Sequence, residues 1–201
     1  MDYQALVLNS MAKLGVPQDD SWETIKASAI QRIGRDRVAL WEVAPAEERT
    51  RLVLEDADSA ITLGLGYRRA SLELEVPWIL EQVRKVHQPE DGPIIDIGSG
   101  TGFTAALLSE VTGTEILATE VSTELLPTMS EVAARLGATI KPTVSTLESL
   151  QELASSHNAS QIVCQKVMGF LEVPHVHNPG FSWVDAVQRQ FGSSETSGTA
   201  I

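Results

Sequence analysis

The sequence predicts an α/β protein: a parallel sheet flanked by helices, preceded by a helical N-terminal region. Three observations predict it. Residues 1 to about 90 carry helical periodicity punctuated by glycine; from residue 92 the order becomes strand, glycine turn, helix, strand, helix; and short apolar runs of strand length then recur. The composition permits a core of that kind, since 43% of the 201 residues are apolar and 21% are charged.

The first helix is expected over residues 3–14, ending at Gly15 and Pro17. A second begins at Asp20, whose spacing to Glu23 resembles a capping box, shows Trp22, Ile25, Ala29, Ile30 and Ile33 on one face, and stops at Gly34. Pro45 is expected in the first turn of another helix, with Leu52, Leu54 and Ile61 turned to a core. Gly64 and Gly66 are expected to break that pattern before a helix over 77–87 with Ile79, Leu80, Val83 and Val86 on one side. Trp22, Trp41 and Trp78 fit either core packing or the wall of an apolar substrate pocket between the two regions.

Strands are expected over 93–97, 115–121, 138–144 and 161–168, with helices over 104–111, 123–136 and 147–155 between them. Ser122 is a natural N-cap and Gly137 a natural stop for the middle helix, with Pro127 in its early part. Right-handed crossovers then make the strands parallel. The expected organisation is a helical subdomain over 1–90, an α/β domain over 91–191, and a small, polar, disordered tail over 192–201.

Charge and cysteine content narrow the function. The net charge is -12, and of fifteen Lys and Arg only Arg135, Lys141, Lys166 and Arg189 lie beyond residue 91. Phosphate tracking needs clustered cations, so no nucleic-acid partner is expected despite the small patch of Arg32, Arg35 and Arg37. The lone Cys164 permits no intramolecular disulfide and no Cys-rich zinc pattern; it reads as a buried apolar residue of a protein from a reducing compartment. No run of eighteen apolar residues and no signal-like N-terminus occur, so a soluble, cytoplasmic protein without a membrane partner is expected.

The chemistry is carried by Ile94-Ile95-Asp96-Ile97-Gly98-Ser99-Gly100-Thr101-Gly102-Phe103, which sets three glycines at alternate positions between a strand and a helix. Glycine there allows positive φ and close approach of backbone to a ligand. A dinucleotide fingerprint GxGxxG would require glycine at 103, where the chain has Phe103, and that departure disfavours NAD. Glu120 ends the second strand eighteen residues beyond Gly102, and a carboxylate at such a strand end has two acceptor oxygens to match two neighbouring ribose hydroxyls.

This run resembles the first motif of class I, Rossmann-like, S-adenosylmethionine-dependent methyltransferases, and the resemblance covers residues 92–168. It implies S-adenosylmethionine as cofactor, with Asp96 near the amino group of its methionine end, Gly98, Ser99, Gly100, Thr101, Gly102 and Phe103 beneath the ligand, and Glu120 with Val121 at the ribose. The stretch 100–108 is similar to protein-isoaspartate methyltransferases, whose other hallmarks the N-terminal half lacks. An acid that takes the adenine amino group in many members is replaced here by Thr146; Leu147 and the backbone nearby could still cover the ring, and Glu148 is the candidate substitute for the acid.

A full sheet of that family has seven strands, yet only 33 residues follow Met168. The expectation is a truncated or split methyltransferase, or a degenerate one kept for binding, whose exposed sheet edge is covered by residues 181–191 or a partner protein and whose sheet is completed by a partner, a second copy or a missing C-terminal segment. The implied reaction is methyl transfer to a small-molecule acceptor; the alternative is a non-catalytic binding module of the same fold that pairs with a partner. His175 and His177 are the candidate bases, with a solvated loop as the plainer reading, and they lack a third ligand for a metal. Lys166 reads as an edge residue of the fourth strand.

Overall fold

Four short runs of the second half form one parallel sheet: β1 (Ile94–Ile97), β2 (Ile116–Glu120), β3 (Ile140–Val144) and β4 (Gln161–Cys164), in the order β3-β2-β1-β4. A computed structural model describes residues 1–19, 21–146, 149–159 and 161–164. The register places Asp96 of β1 between Ala118 of β2 and Val163 of β4. All four residues of β1 are buried, as befits the inner strand of a sheet covered on both faces, and Asp96 is the polar one among them.

Alternation along the strands divides the core. Ile94, Ile116, Ala118 and Val163 share one apolar cluster with helices α1 (Tyr3–Leu14), α6 (Gly66–Val86), α7 (Phe103–Thr112) and α8 (Leu126–Leu136). Ile95, Ile97 and Leu117 point the other way, against Leu150 and Ala154 of α9 (Leu150–His157). The chain is thus a Rossmann-like α/β protein with N-terminal helices, and α1 and α6 belong to the same core as the sheet. No described helix is long and apolar enough to cross a membrane.

The N-terminal helices follow local rules, with several departures from expectation. Asp2 accepts from the Ala5 N–H to start α1, and Gly15 at φ 75° ends it. In α2 (Trp22–Ile33) the cap is Ser21, whose hydroxyl accepts from the Thr24 N–H; Asp20 lies outside the described residues. Asp19 holds that cap in place, accepting from the Ser21 N–H at 2.9 Å and the Thr24 hydroxyl at 2.9 Å. A further helix, α3 (Arg35–Val43), resumes directly after Gly34 with only Val38 and Trp41 buried, too sparse a face to show in the sequence. Pro45 stands just outside α4 (Ala46–Leu54) in extended conformation rather than inside its first turn.

The largest departure concerns Gly64 and Gly66. The short helix α5 (Ala57–Ser59) runs through a π-helical segment, Ala60–Leu65, straight into α6, so neither glycine interrupts the helix and the expected 77–87 helix begins at Gly66. Their role is close packing: a Cβ on Gly64 would stand 3.1 Å from Val53 Cγ1, and one on Gly66 would stand 3.2 Å from Ile25 Cγ2. Pro77 lies within α6, and Trp78 is 56% exposed, so it neither fills the core nor lines a pocket between the regions. Trp41 is buried instead, 5.3 Å from Trp22 and 5.7 Å from Tyr67 between ring centres, with the Arg49 guanidinium 5.2 Å above it.

In the sheet region, Ser122 caps a 3-10 turn, Thr123–Leu125, and α8 proper starts at Leu126 with Pro127 in its first turn and Gly137 at φ 74° behind it. Helix α9 starts at Leu150, and the Ser149 N–H before it donates to the Thr146 carbonyl. The expected extension of β4 to Met168, with Lys166 in it, lies outside the described residues, as do residues 181–191 and the tail. Cys164 is half-buried beside the α9 cluster. Of the small basic patch, Arg32 donates to the Leu14 carbonyl at 2.9 Å and Arg37 pairs with Asp56 at 2.6 Å.

Candidate functional site

All four strands are parallel, so their C-terminal ends share one rim, and the sheet order reverses there between β1 and β4. Open α/β sheets bind ligands at such a switch point. The loop after β1, residues 98–102, occupies it.

Each glycine of the loop is at positive φ: Gly98 at 65°, Gly100 at 56° and Gly102 at 77°. Their surroundings differ. A Cβ on Gly100 would meet nothing within 4 Å, which leaves its backbone open to an approaching molecule. One on Gly102 would stand 3.2 Å from Met129 Cα and 3.3 Å from Ile140 Cδ1, so that glycine lets the loop press against α8 and β3. Phe103, where a dinucleotide fingerprint would place its third glycine, starts α7 with its ring buried in the main core.

Asp96 is held from two sides by its backbone. Its carbonyl accepts from the Ser99 hydroxyl at 2.8 Å and the Thr119 hydroxyl at 3.0 Å, while the Ser99 N–H donates to the Thr119 carbonyl at 3.0 Å. The side chain is 2% exposed, and its Oδ2 has no hydrogen-bond partner. Burial pushes its pKa up to about 7, opposed by a hydrogen bond from Ser99 and aided by the nearby negative charge of Glu120. A buried carboxylate oxygen without a donor costs free energy that a cationic donor would recover.

Glu120, at the end of β2, reaches back to the loop: its Oε1 accepts from the Gly100 N–H at 2.8 Å and its Oε2 from the Val121 N–H at 3.2 Å. Each oxygen retains acceptor capacity, because a carboxylate offers about four lone-pair positions. Val121 is exposed beside it. The Ser145 N–H donates to the Glu120 carbonyl at 3.0 Å, which brings the loop after β3, with exposed Thr146, to the same rim. The structure therefore collects Asp96, the glycine loop, Glu120, Val121 and Thr146 along one end of the sheet. Leu147, Glu148, His175 and His177 lie outside the described residues.

A crevice of about 40 Å³ opens over the loop, lined by Asp96, Gly98, Ser99, Gly100, Thr101, Phe103 and Thr104 on one side and by Leu65, Arg68 and Leu72 of the N-terminal helices on the other. Sequence reasoning missed this second wall. The signal was present in Gly64, read as a break, whose Cβ position lies 3.9 Å from Thr101 Cγ2 and so marks where the helix approaches the loop.

A larger cavity, about 420 Å³, lies at the opposite end of the strands beside Lys13, Glu110, Thr114 and Glu115. Its buried Ser109 hydroxyl already accepts from the Thr139 N–H at 3.2 Å, and it faces the strand starts, away from the switch point. The smaller crevice is the better site, because it alone contains a buried polar atom in need of a partner. Among the described residues no three His, Cys, Asp or Glu converge as a metal site.

Fold and rim together define the class: a Rossmann-like α/β protein with a glycine loop at its switch point. Compared with known proteins, the chain matches no family model and no curated sequence.

Proposed function

We propose that the chain binds S-adenosylmethionine at the glycine loop and acts as a methyltransferase on a small-molecule acceptor. The observation that carries this reading is the buried, unpartnered Oδ2 of Asp96 beneath a loop whose Gly100 backbone is open. An α-ammonium group fits that oxygen by charge and by donor capacity. Glu120 would take the ribose hydroxyls with the lone pairs that Gly100 and Val121 leave free. A crevice of about 40 Å³ suits the amino-acid end alone, since drug-sized ligands fill roughly 300 Å³ or more; the nucleoside would lie outward along Glu120, Val121 and Thr146.

When bound, the sulfonium supplies a methyl group already activated for transfer. The chain's own task is then positioning, which can lower a barrier by several kcal/mol, roughly 7–11 in the best intramolecular cases. If the acceptor carries a proton, His175 or His177 beyond β4 would remove it.

Calorimetric titration with S-adenosylhomocysteine and with NADH tests the reading. Saturable binding of S-adenosylhomocysteine with no heat from NADH is expected. Binding of NADH in preference would replace the proposal with a nucleotide-dependent oxidoreductase.

A further inference from the structure

The crevice presents two opposite charges from two regions of the chain. Asp96 supplies the unpartnered carboxylate oxygen, and Arg68 of α6 is the one cation among the described residues that line the space. Other arginines of this region are engaged: Arg69 donates to Glu73 and to the Pro17 carbonyl, Arg37 pairs with Glu55 and Asp56, and Arg32 donates to the Leu14 carbonyl. Among the described residues the Arg68 side chain makes no hydrogen bond or ion pair, and Arg68 is exposed at the mouth. It follows the π-helical segment Ala60–Leu65 by three residues. Such wide turns concentrate at functional sites because the extra residue resets which side chains face inward.

The remaining crevice residues are neutral: Leu65, Leu72, Phe103, three hydroxyl residues and two glycines. Neutral walls around one acid and one guanidinium match a ligand that is itself a zwitterion, since a single ammonium would leave Arg68 idle and a single anion would be repelled by Asp96. We infer that Arg68 binds the α-carboxylate of the ligand while Asp96 takes its α-ammonium, so that the site selects nucleosides bearing an intact amino-acid group. A guanidinium suits this task through its fork of N–H donors, which can engage both carboxylate oxygens. The inference rests on the proposed cofactor reading and adds to it a residue from the N-terminal helices, outside the motif that suggested it.

The test compares S-adenosylmethionine with decarboxylated S-adenosylmethionine, which lacks only the carboxylate, by calorimetry on the full chain and on Arg68→Ala and Arg68→Lys. The wild type is expected to prefer the intact ligand by at least tenfold. Arg68→Ala should erase that preference by weakening the intact ligand alone, and Arg68→Lys should restore part of it. Circular dichroism should show both variants folded, since Arg68 is exposed and its side chain makes no hydrogen bond or ion pair among the described residues; if Arg68→Ala does not fold, Arg68→Gln carries the comparison. A wild type that binds both ligands equally, or an Arg68→Ala chain that keeps the full preference, overturns the role of Arg68 and leaves the cofactor reading standing. A wild type that binds neither overturns both.

Discussion

Replacing Asp96 by asparagine should stabilise the empty protein above neutral pH while weakening its hold on ligand. The acid is 2% exposed and titrates near pH 7 because burial penalises its charge, with Glu120 adding to the effect. Its folded pKa lies above the unfolded value, so the folded state binds more protons between about pH 4 and 7, and wild-type stability falls as pH rises through that window. Each pH unit is worth about 1.4 kcal/mol, so the two units from pH 5 to 7 remove about 3 kcal/mol. Asparagine keeps the shape and carries no charge to ionise. Its amide needs a partner too, which costs about 1–3 kcal/mol at every pH, so the informative quantity is the difference between pH values. Thermal melts at pH 5 and pH 8 should show the Asp96→Asn chain gaining on wild type by about 6–12 °C between the two, at 2–4 °C per kcal/mol for a chain of this size. Calorimetry at pH 8 should show S-adenosylhomocysteine binding at least tenfold weaker, about 1.4 kcal/mol. A stability gap that is the same at both pH values would show that Asp96 titrates as an ordinary surface acid and that the argument from its burial is wrong.

The glycines of the loop should separate by phenotype. Gly100→Ala and Gly102→Ala share the strain of a side chain at positive φ, but only the Gly102 Cβ also meets Met129 and Ile140, so Gly100→Ala should fold and mainly lose affinity, by more than tenfold, whereas Gly102→Ala should lose about 1–3 kcal/mol more stability in urea melts; equal effects on both properties would refute the division. Glu120→Ala should weaken S-adenosylhomocysteine by roughly 1.5–3 kcal/mol in calorimetry, because hydrogen bonds to a charged acceptor are lost, and unchanged affinity would remove Glu120 from the ribose.

Strands β1, β2 and β4 were legible because each holds a short apolar stretch, and β3, with Lys141, Pro142 and Thr143 inside it, because it follows the helix stop at Gly137; the loop was legible because its glycines follow a strand directly. Other features were hidden by the nature of the signal. Gly64 and Gly66 look the same in sequence whether they end a helix or let one pack closely, and the neighbours that decide it, Val53 and Ile25, lie elsewhere in the chain. Helix α3 buries too few residues to show a periodic face. Asp96 and Glu120 were found from spacing, yet the bond from the Gly100 N–H to Glu120 and the missing partner of Asp96 Oδ2 depend on three-dimensional contacts. Arg68 was invisible because the one nearby signal, Gly64, reads in sequence as a helix break, and its approach to Thr101 shows only in three dimensions.

The central claim is that the amino-acid end of an S-adenosylmethionine-like ligand sits on Asp96, and a crystal structure with S-adenosylhomocysteine tests it most directly. The ligand nitrogen is expected within hydrogen-bonding distance of Asp96 Oδ2, and the ribose hydroxyls against the Glu120 carboxylate. A ligand seated instead in the larger cavity beside Lys13 and Glu110, or one whose amino group leaves Asp96 unpartnered, would contradict it.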